Sequence, residues 1–321
     1  MKKRRKSAPR RFPAGHFTHL DKIFWPKEGF TKGDVIRYYD RMADVILPYL
    51  RNRPMVLNRH PNGIRGASFF QKNVDPKHLP SFVKTIIVRA RSTGRNVHYV
   101  VCNNKQTLLY LANLGCIEMH PWNSRVATIK QPDFLSLDLD PGGNPFSDIV
   151  SVARTVRKVV EEAGGRCLVK TSGKTGIHVI VPLRARHDFA EVRGVAKVIA
   201  RLVNRRLPKL TTWRPNAGRQ SRKIYVDYVR NSFGQTLAAP YSLRAFPAAT
   251  ISTPLEWREL SKGMRPSRYS LRTIFRRLNH EGDIWRSSFR SSVNLERLAK
   301  RLERMTKDAV RLQRRRRGTA A

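Results

Sequence analysis

The sequence predicts an α+β protein in which β-sheets are flanked by helices. Strand-like runs alternate along the chain with segments whose apolar residues recur every three or four positions, as in helices that pack on a core. Two of the runs, at 168–170 and 177–181, are separated by a Gly-rich turn and predict a β-hairpin. From about residue 262 the composition shifts to Arg-rich helical stretches, which predict a basic helical extension.

The charge of the chain predicts an anionic partner. Its 321 residues include 64 Lys and Arg against 23 Asp and Glu, a formal net charge of +41. A field of that strength attracts polyanions, of which nucleic acid is the commonest and an anionic membrane surface the competing one. No run of about 18 apolar residues occurs. The basic start at Met1–Lys6 is not followed by an apolar stretch, so we expect a cytosolic protein that does not enter a membrane.

The cysteines predict neither a disulfide framework nor a zinc site. Cys102, Cys116 and Cys167 are scattered, odd in number and without a Cys-x-x-Cys spacing. We therefore expect buried free thiols.

The first part of the chain combines a basic arm at residues 1–16, a helix that begins at Thr31, and a segment between residues 50 and 72 that suits nucleic acid. The basic and aromatic residues of that segment are Arg51, Arg53, Phe69, Phe70 and Lys72. Cations can meet phosphates there and rings can stack on bases, although a Phe–Phe pair is also common in a core. After a strand near 97–101 and a short buried helix, His120 precedes a proline, where the backbone is extended and a histidine is commonly structural.

An apolar strand at the middle of the chain ends in two aspartates, Asp138 and Asp140. Because side chains alternate in a strand, its leucines should face one way and both aspartates the other. Two carboxylates held that close repel each other, and an oxygen-only pair favours Mg²⁺ or Mn²⁺ as the neutralising ion. The alternative is a solvated Asp-x-Asp at the end of a strand.

The segments that follow supply further candidates. A helix is predicted to begin at Ser147, and the hairpin turn after it contains Ser172 and Lys174. A hydroxyl, an ammonium and backbone amides in one tight loop can hold a phosphate, although a simple turn fits equally well. The loop is not a Walker loop, because the spacing is absent and a strand follows it. His178 lies on that outgoing strand.

The second half of the chain contains four further features. Asp188 opens a helix, and a strand at 223–229 places Asp227 opposite its apolar residues. An acid in so apolar a strand is costly unless it meets a cation or hydrogen bonds, so Asp227 is the predicted third metal ligand. Arg244 is expected within reach of the same sheet. Residues 253–256 predict another helix start, because a proline follows a capping threonine.

Taken together, these segments resemble the polymerase domain of the bacterial DNA-repair ligase D, in the archaeo-eukaryotic primase superfamily. The motifs on which the resemblance rests are, in chain order, Thr18–Lys22, Phe69–Lys72, Ile117–Trp122, Asp138–Gly142, Lys170–Gly173, Gly176–His178 and Ala239–Ala245. The resemblance implies a primase-type fold of mixed and antiparallel sheets flanked by helices. It also implies a catalytic domain at 17–260, between the basic arm and an Arg-rich helical extension with a basic tail at 261–321.

The resemblance implies a role for each candidate residue. The two divalent ions, Mn²⁺ or Mg²⁺, would be held by Asp138, Asp140 and Asp227. The nucleotide would be contacted by Ser172, Lys174, His178 and Arg244 at its triphosphate, by His120 at its sugar, and by Phe69 or Phe70 at its base. Lys22 would be among the basic residues that receive the 5′-phosphate of a downstream strand. The further DNA contacts, predicted from the composition of their own segment, are Arg51, Arg53 and Lys72.

The implied activity is a two-metal nucleotidyltransferase that adds ribo- or deoxyribonucleotides to DNA ends and fills short gaps, in non-homologous end joining or gap repair. Its substrates would be nucleoside triphosphates and DNA with a primer-template, gap or broken end. Its partners would be a Ku-type end-binding protein and a separate ligase, at a bacterial nucleoid. The chain has no Lys-x-Asp-Gly adenylation motif, so we expect a stand-alone relative without a ligase module. The alternatives are a two-metal nuclease and a non-catalytic DNA-binding scaffold.

Overall fold

The computed structural model describes residues 17–90, 93–215, 222–289 and 291–318, with side chains to residue 309. The arm predicted at 1–16 and the side chains of the predicted Arg314–Arg317 tail lie outside the described part. Among the described residues, every helix is either too short or too polar to cross a membrane.

Strands and helices are mixed throughout, as in an α+β protein. The strands are β1 Ile23–Trp25, β2 Phe30–Thr31, β3 Met55–Arg59, β4 Phe69–Gln71, β5 Lys84–Arg89, β6 Asn96–Val101, β7 Cys116–Pro121, β8 Phe134–Asp140, β9 Leu168–Thr171, β10 Ile177–Pro182, β11 Thr211–Thr212, β12 Ile224–Asp227 and β13 Pro254–Leu255. The α-helices are α1 Lys32–Leu50, α2 Lys105–Asn113, α3 Phe146–Glu162, α4 Phe189–Arg206, α5 Ile274–Glu281, α6 Trp285–Ser288 and α7 Leu295–Gly318.

Two sheets matter for the functional site. The larger has six strands in the order β11-β12-β8-β10-β9-β13, and all of its pairs are antiparallel except β11 with β12. The smaller has three antiparallel strands in the order β4-β3-β7. The strand pairs β1–β2 and β5–β6 form separate two-stranded sheets. The α+β class and the hairpin of β9 with β10 are thus confirmed.

A hydrophobic core lies on each side of the larger sheet. The three leucines of β8 are fully buried and pack with apolar residues of α3, α4 and α7. A second core is built by α1, α2 and the strands of the smaller sheet, and it includes Ile274 of α5 and Trp285 of α6. Residues after 261 therefore pack on both cores. The division of the chain at residue 260 stays a prediction.

Local capping signals predicted two helix starts correctly and two incorrectly. Capping boxes form at Thr31 and Asp188, where α1 and α4 begin. The predicted cap at Ser147 is wrong, because α3 already begins at Phe146, after Pro145. The helix predicted from residues 253–256 is wrong as well, because the backbone there pairs with the edge strand β9 and forms β13. All three cysteines are buried free thiols, as predicted.

Candidate functional site

Four polar side chains form a row across the larger sheet. Asp227 of β12 is the register partner of Asp138 on β8, Asp138 is the partner of His178 on β10, and His178 is the partner of Lys170 on β9. The alternation along β8 places Asp138 on the face opposite its three buried leucines. The pairing of these strands therefore gathers two acids, a histidine and a lysine on one face.

Three carboxylates converge at one end of this row. Oxygens of Asp138, Asp140 and Asp227 lie within 4.8 Å of one another. The side chains of Asp138 and Asp227 are buried, whereas Asp140 is exposed at the end of β8. Three carboxylates that approach so closely repel each other, and an oxygen-only set of this kind fits Mg²⁺ or Mn²⁺. The three predicted ligands are thus brought together, and the cluster can bind a metal ion.

Arg230 lies between the two buried acids. Its Nε is 3.5 Å from Oδ2 of Asp138 and 3.3 Å from Oδ2 of Asp227. Burial would raise the pKa of Asp138, but His178 and Arg230 lower this pKa to about 2. Burial raises the pKa of Asp227, and Arg230 opposes that shift. Arg230 is therefore a positive charge of the protein itself that helps to balance this pair of carboxylates.

His178 connects the acids to the interior of the sheet. Its Nε2 lies 3.2 Å from Oδ1 of Asp138, and its Nδ1 lies 2.7 Å from Nζ of Lys170. Burial, followed by the charge of Lys170, lowers the pKa of His178 to about 4. The imidazole is thus a neutral group held from both sides.

The loop between β9 and β10 is closed around Ser172. The Ser172 hydroxyl oxygen accepts hydrogen bonds from the backbone N–H groups of Lys174, at 3.1 Å, and Gly176, at 3.0 Å. Arg244 donates to the carbonyl of Ser172. Gly173 has a φ of +76°, and a Cβ there would lie 2.7 Å from the backbone nitrogen of Ser252. Only glycine fits this close approach, which keeps the loop compact beside Arg244.

A buried carboxylate, Glu118 on β7, holds the cations next to this loop. It lies 2.8 Å from Nε2 of His120, 3.2 Å from Nζ of Lys174 and 3.3 Å from Nε of Arg244. It also accepts a hydrogen bond from the backbone N–H of Ala245 at 3.0 Å. Although burial opposes ionisation, these partners hold the pKa of Glu118 well below its usual range. Glu118 thus gathers three of the predicted nucleotide contacts around one negative charge.

The two phenylalanines of β4 are exposed beside His120. Phe69 is 47% and Phe70 61% accessible, which excludes the alternative that this pair belongs to the core. The Phe70 ring meets the His120 ring edge-on at 6.0 Å, while Arg59 lies over Phe69 at 5.3 Å. An open aromatic face on the wall of the site is available for stacking.

The predicted DNA contacts are only partly accessible. Lys22, Arg51 and Lys72 are exposed, and Lys22 lies near the buried Lys32, whose pKa is lowered by burial and by the charge of Lys22. Arg53 does not fit its predicted role, since it is 1% exposed and forms an ion pair with Asp133. A DNA phosphate cannot reach Arg53 unless that pair is broken.

No role is predicted from the sequence for Glu118, Lys170 or Arg230. Both Glu118 and Lys170 stand within the motifs that supported the resemblance. Glu118 lies on the same face of β7 as His120, and Lys170 is the register partner of His178 on the neighbouring strand. A charged residue within an apolar strand is the signal that could have identified them. Arg230 is three residues after Asp227, on a short turn of 3₁₀-helix, and its sequence position indicated nothing further.

The chain is similar to known proteins. Residues 31–285 match the family model described as LigD, primase-polymerase domain. The chain is 32% identical over 272 residues to the bifunctional non-homologous end joining protein LigD of Bacillus subtilis. The matched region covers 84% of this chain and 43% of that protein. It is also 32% identical over 263 residues to the multifunctional non-homologous end joining protein LigD of Pseudomonas aeruginosa, over 82% of this chain and 31% of that protein.

A solved structure shows the same fold. The polymerase domain from Mycobacterium tuberculosis ligase D, in complex with DNA, superposes with a TM-score of 0.79 at 27% identity, over 87% of this chain and 99% of that one. The chain thus spans less than half the length of the curated relatives, but nearly all of the solved polymerase domain. Because the family model matches most of this chain, the chain belongs to the LigD primase-polymerase domain family.

Proposed function

We propose that this chain is a metal-dependent nucleotidyltransferase that adds ribo- or deoxyribonucleotides to DNA ends and fills short gaps in non-homologous end joining or gap repair. The observation that supports this most directly is the convergence of Asp138, Asp140 and Asp227 beside a loop lined with cations, in a member of a primase-polymerase family. Acids that hold divalent ions next to donors that hold phosphates are the arrangement that phosphoryl transfer needs.

The acids would bind the metal ions, and the loop would bind the triphosphate. Two Mg²⁺ or Mn²⁺ ions held by Asp138, Asp140 and Asp227 would supply the Lewis acidity of two-metal phosphoryl transfer. The Ser172 hydroxyl accepts two backbone hydrogen bonds and can donate its own proton to a phosphate oxygen. The other donors proposed for the triphosphate are Lys174, His178 and Arg244. Most of these groups are fixed by contacts within the protein before the nucleotide arrives, so their positioning needs little reorganisation.

The remaining nucleotide contacts are proposed on the smaller sheet. His120 would lie beside the sugar, because its ring is held by Glu118 on the site-facing side of β7. Phe70, or Phe69 next to it, would stack on the base, because both rings are exposed at the edge strand β4. Base stacking on an aromatic ring contributes about 1–3 kcal/mol and tolerates all bases.

DNA is the proposed second substrate. The charge of +41 and the exposed Lys22, Arg51 and Lys72 support binding of a DNA backbone. We propose that Lys22 is one of the residues that receive the 5′-phosphate of a downstream strand. A Ku-type end-binding protein and a separate ligase are the proposed partners.

The nuclease and scaffold alternatives explain less of the site. Three carboxylates around a divalent ion would also suit hydrolysis, but a nuclease needs no triphosphate and gives no reason for the cations around Ser172 and Glu118. A scaffold gives no reason for three acids within 4.8 Å of one another. The comparisons lend neither alternative support.

Extension of a gapped, end-labelled DNA with Mn²⁺ and nucleoside triphosphates tests the proposal. We expect nucleotide addition by the wild type and a loss of on the order of a hundredfold or more in Asp138→Asn and Asp227→Asn, with DNA binding retained. Asp148→Asn, in the first turn of α3, is the control and should keep full activity. Shortening of the labelled strand without triphosphate would favour the nuclease, and unchanged addition in both aspartate variants would refute the proposed site.

A further inference from the structure

The segment from residue 192 to residue 226 has an extreme charge, since it contains ten Lys and Arg and no acid. It includes most of α4, the short strand β11 and Trp213. On α4, Lys197 and Arg201 are both exposed and stand four residues apart, so they lie on one face of the helix, about 6 Å apart along its axis. Like charges at this spacing repel each other. The segment thus presents a surface that an anionic partner would stabilise.

Trp213 lies among these cations. Nζ of Lys197 and Cζ of Arg201 are each 5.6 Å from the centre of its indole ring, and Cζ of Arg214 is 6.0 Å from it. A single cation is enough for a favourable contact with an aromatic face. Three cations around one half-buried ring resemble the combination that binds single-stranded nucleic acid, in which rings stack on bases and cations contact phosphates.

The helices α4 and α7 form the walls of a groove of about 530 Å³ beside this ring. Arg205 of α4 donates a hydrogen bond to the carbonyl of Thr306 on α7 at 3.3 Å, which ties the two walls together. The groove is therefore formed before a ligand arrives. Its charged and aromatic lining consists of Arg201, Arg205, Trp213, Glu303 and Lys307.

The positive charge of this groove is not balanced within the described part of the chain. Among the described residues, the one basic side chain of α4 that forms an ion pair is Arg206, with Glu162 of α3. Glu191, in the first turn of α4, is paired with His187. Glu303 is the one acid that lines the groove, against three basic residues. The groove thus keeps an excess of positive charge for a ligand.

The groove and the acid cluster lie on opposite sides of the larger sheet. Both α4 and α7 pack on the buried leucines of β8, whereas Asp138 lies on the other face of that strand. A strand that occupies the groove is therefore a different segment of nucleic acid from the one whose end reaches the acids.

We propose that the groove between α4 and α7 is a second nucleic-acid-binding site, which takes a single strand. Lys197, Arg201 and Lys307 contact its phosphates, and Trp213 stacks on one of its bases. A single strand is required because the bases of a duplex are already stacked on each other. The inference goes beyond the proposed function and does not depend on nucleotide addition.

An anionic membrane surface fits this face less well. A helix that lies on a membrane buries apolar side chains at the lipid boundary. The exposed positions of α4 after its first turn are Arg193, Gly194, Lys197, Arg201 and Arg206. None of them offers an apolar side chain that could enter a bilayer.

Tryptophan fluorescence of the full chain, titrated with a single-stranded oligonucleotide, tests the stacking. The buried tryptophans are Trp25, Trp122 and Trp285. We expect quenching in the wild type and its loss in Trp213→Phe. Trp257→Phe is the matched control and should keep the quenching, because Trp257 is also half-buried with a cation, Arg157, 5.1 Å from its ring. Equal quenching of the wild type and Trp213→Phe, or equal quenching by the same oligonucleotide as a duplex, would overturn the stacking.

Fluorescence anisotropy of the labelled oligonucleotide at several salt concentrations tests the phosphate contacts. Each contact to a single strand contributes about 0.7 to the slope of log K against log salt. Lys197→Ala should therefore lower the slope by about 0.7, and Arg201→Ala in the same chain by about 0.7 more. Lys158→Ala, an exposed lysine on the neighbouring α3, is the control and should leave the slope unchanged. An unchanged slope in the double variant would overturn the site.

The outcomes separate this inference from the proposed function. Quenching that depends on Trp213 in a protein that adds no nucleotide would refute the proposed function and support the second site. Nucleotide addition without such quenching, and with an unchanged slope in the double variant, would refute the second site alone. Binding to phosphatidylserine vesicles that depends on Lys197, without quenching by the oligonucleotide, would overturn nucleic acid as the partner. Circular dichroism checks each variant, and the exposed Lys197 and Arg201 still decide if Trp213→Phe does not fold.

Discussion

Glu118 lies 3.2 Å from Lys174, and this contact joins β7 of the three-stranded sheet to the loop between β9 and β10 of the six-stranded sheet. Glu118 is 1% exposed, and it also forms an ion pair with Arg244. The proposed site is thus a junction between two sheets, with the metal ligands on one and the exposed phenylalanines on the other. This internal carboxylate is one of the contacts that hold the two parts together.

Glu118→Gln should destabilise the protein and weaken triphosphate binding. Breaking a buried ion pair by removal of one partner costs about 3–5 kcal/mol, because the charge left behind loses its counter-ion. Urea unfolding measures the loss, and binding of an ATP analogue measures the effect on the loop. Glu161→Gln is the control, since its pair with Arg157 is exposed and contributes about 1 kcal/mol or less. Equal stability losses in the two variants would contradict the role of Glu118.

The same carboxylate predicts a pH dependence of stability. The pKa of Glu118 is held well below its usual 4.5 in the folded protein. Below about pH 4.5 the unfolded chain therefore binds a proton at this group that the folded protein does not bind. Its stabilisation is present above about pH 4.5 and is lost as the pH falls toward the folded pKa, by up to about 1.4 kcal/mol per pH unit. The wild type should therefore lose stability more steeply than Glu118→Gln between about pH 4.5 and pH 3. Parallel unfolding curves for the two proteins would show that Glu118 has no such shift.

Arg230 predicts how the protein responds to metal. Its guanidinium lies within 3.5 Å of both Asp138 and Asp227, so Arg230→Gln should leave these acids unbalanced and lower the metal-free stability by about 1–3 kcal/mol. Addition of Mn²⁺ should then raise the melting temperature of the variant more than that of the wild type, because binding to the folded state alone adds stability. Arg193→Gln, on the surface of α4, is the control. An equal Mn²⁺ response in variant and wild type would argue against charge balance by Arg230.

The pattern of the sequence predicted faces, local caps and the β9–β10 hairpin, but not the pairing of strands that are distant in the chain. A period of two placed Asp138 opposite the leucines of β8, and capping signals located the starts of α1 and α4. The meeting of Asp227 with Asp138 depends on strand register across the sheet, which no local pattern contains. The same limitation explains the wrong helix start at residues 253–256, because pairing with β9 overrides the local capping pattern there.

Arg53 and Lys72 are indistinguishable as basic residues in the sequence, yet the structure separates them. Arg53 is buried with Asp133, whereas Lys72 is exposed next to β4. Lys72→Ala should therefore weaken DNA binding and reduce its salt dependence by about one counterion, with little effect on stability. Arg53→Ala should instead lower the stability by about 3–5 kcal/mol and leave the salt dependence of DNA binding by the folded protein unchanged. Fluorescence anisotropy at several salt concentrations measures the DNA affinity of both variants. An altered salt dependence in Arg53→Ala would show that Arg53 contacts DNA as predicted.

Phe70 is the ring we expect to stack on the incoming base. It is 61% exposed and edge-on to His120, whereas Phe69 is partly covered by Arg59. Phe70→Ala should weaken nucleotide binding by about 1–3 kcal/mol, the value of one stacked base, and Phe69→Ala should have a smaller effect. The KM for nucleotide in gap filling measures this, while the melting temperature should hardly change because little buried surface is lost. Ile87→Ala, an equally exposed apolar residue on β5, is the control and should leave KM unchanged. A larger effect of Phe69→Ala would assign the stacking to that ring instead, because the two side chains alternate across β4 and cannot both face the same base.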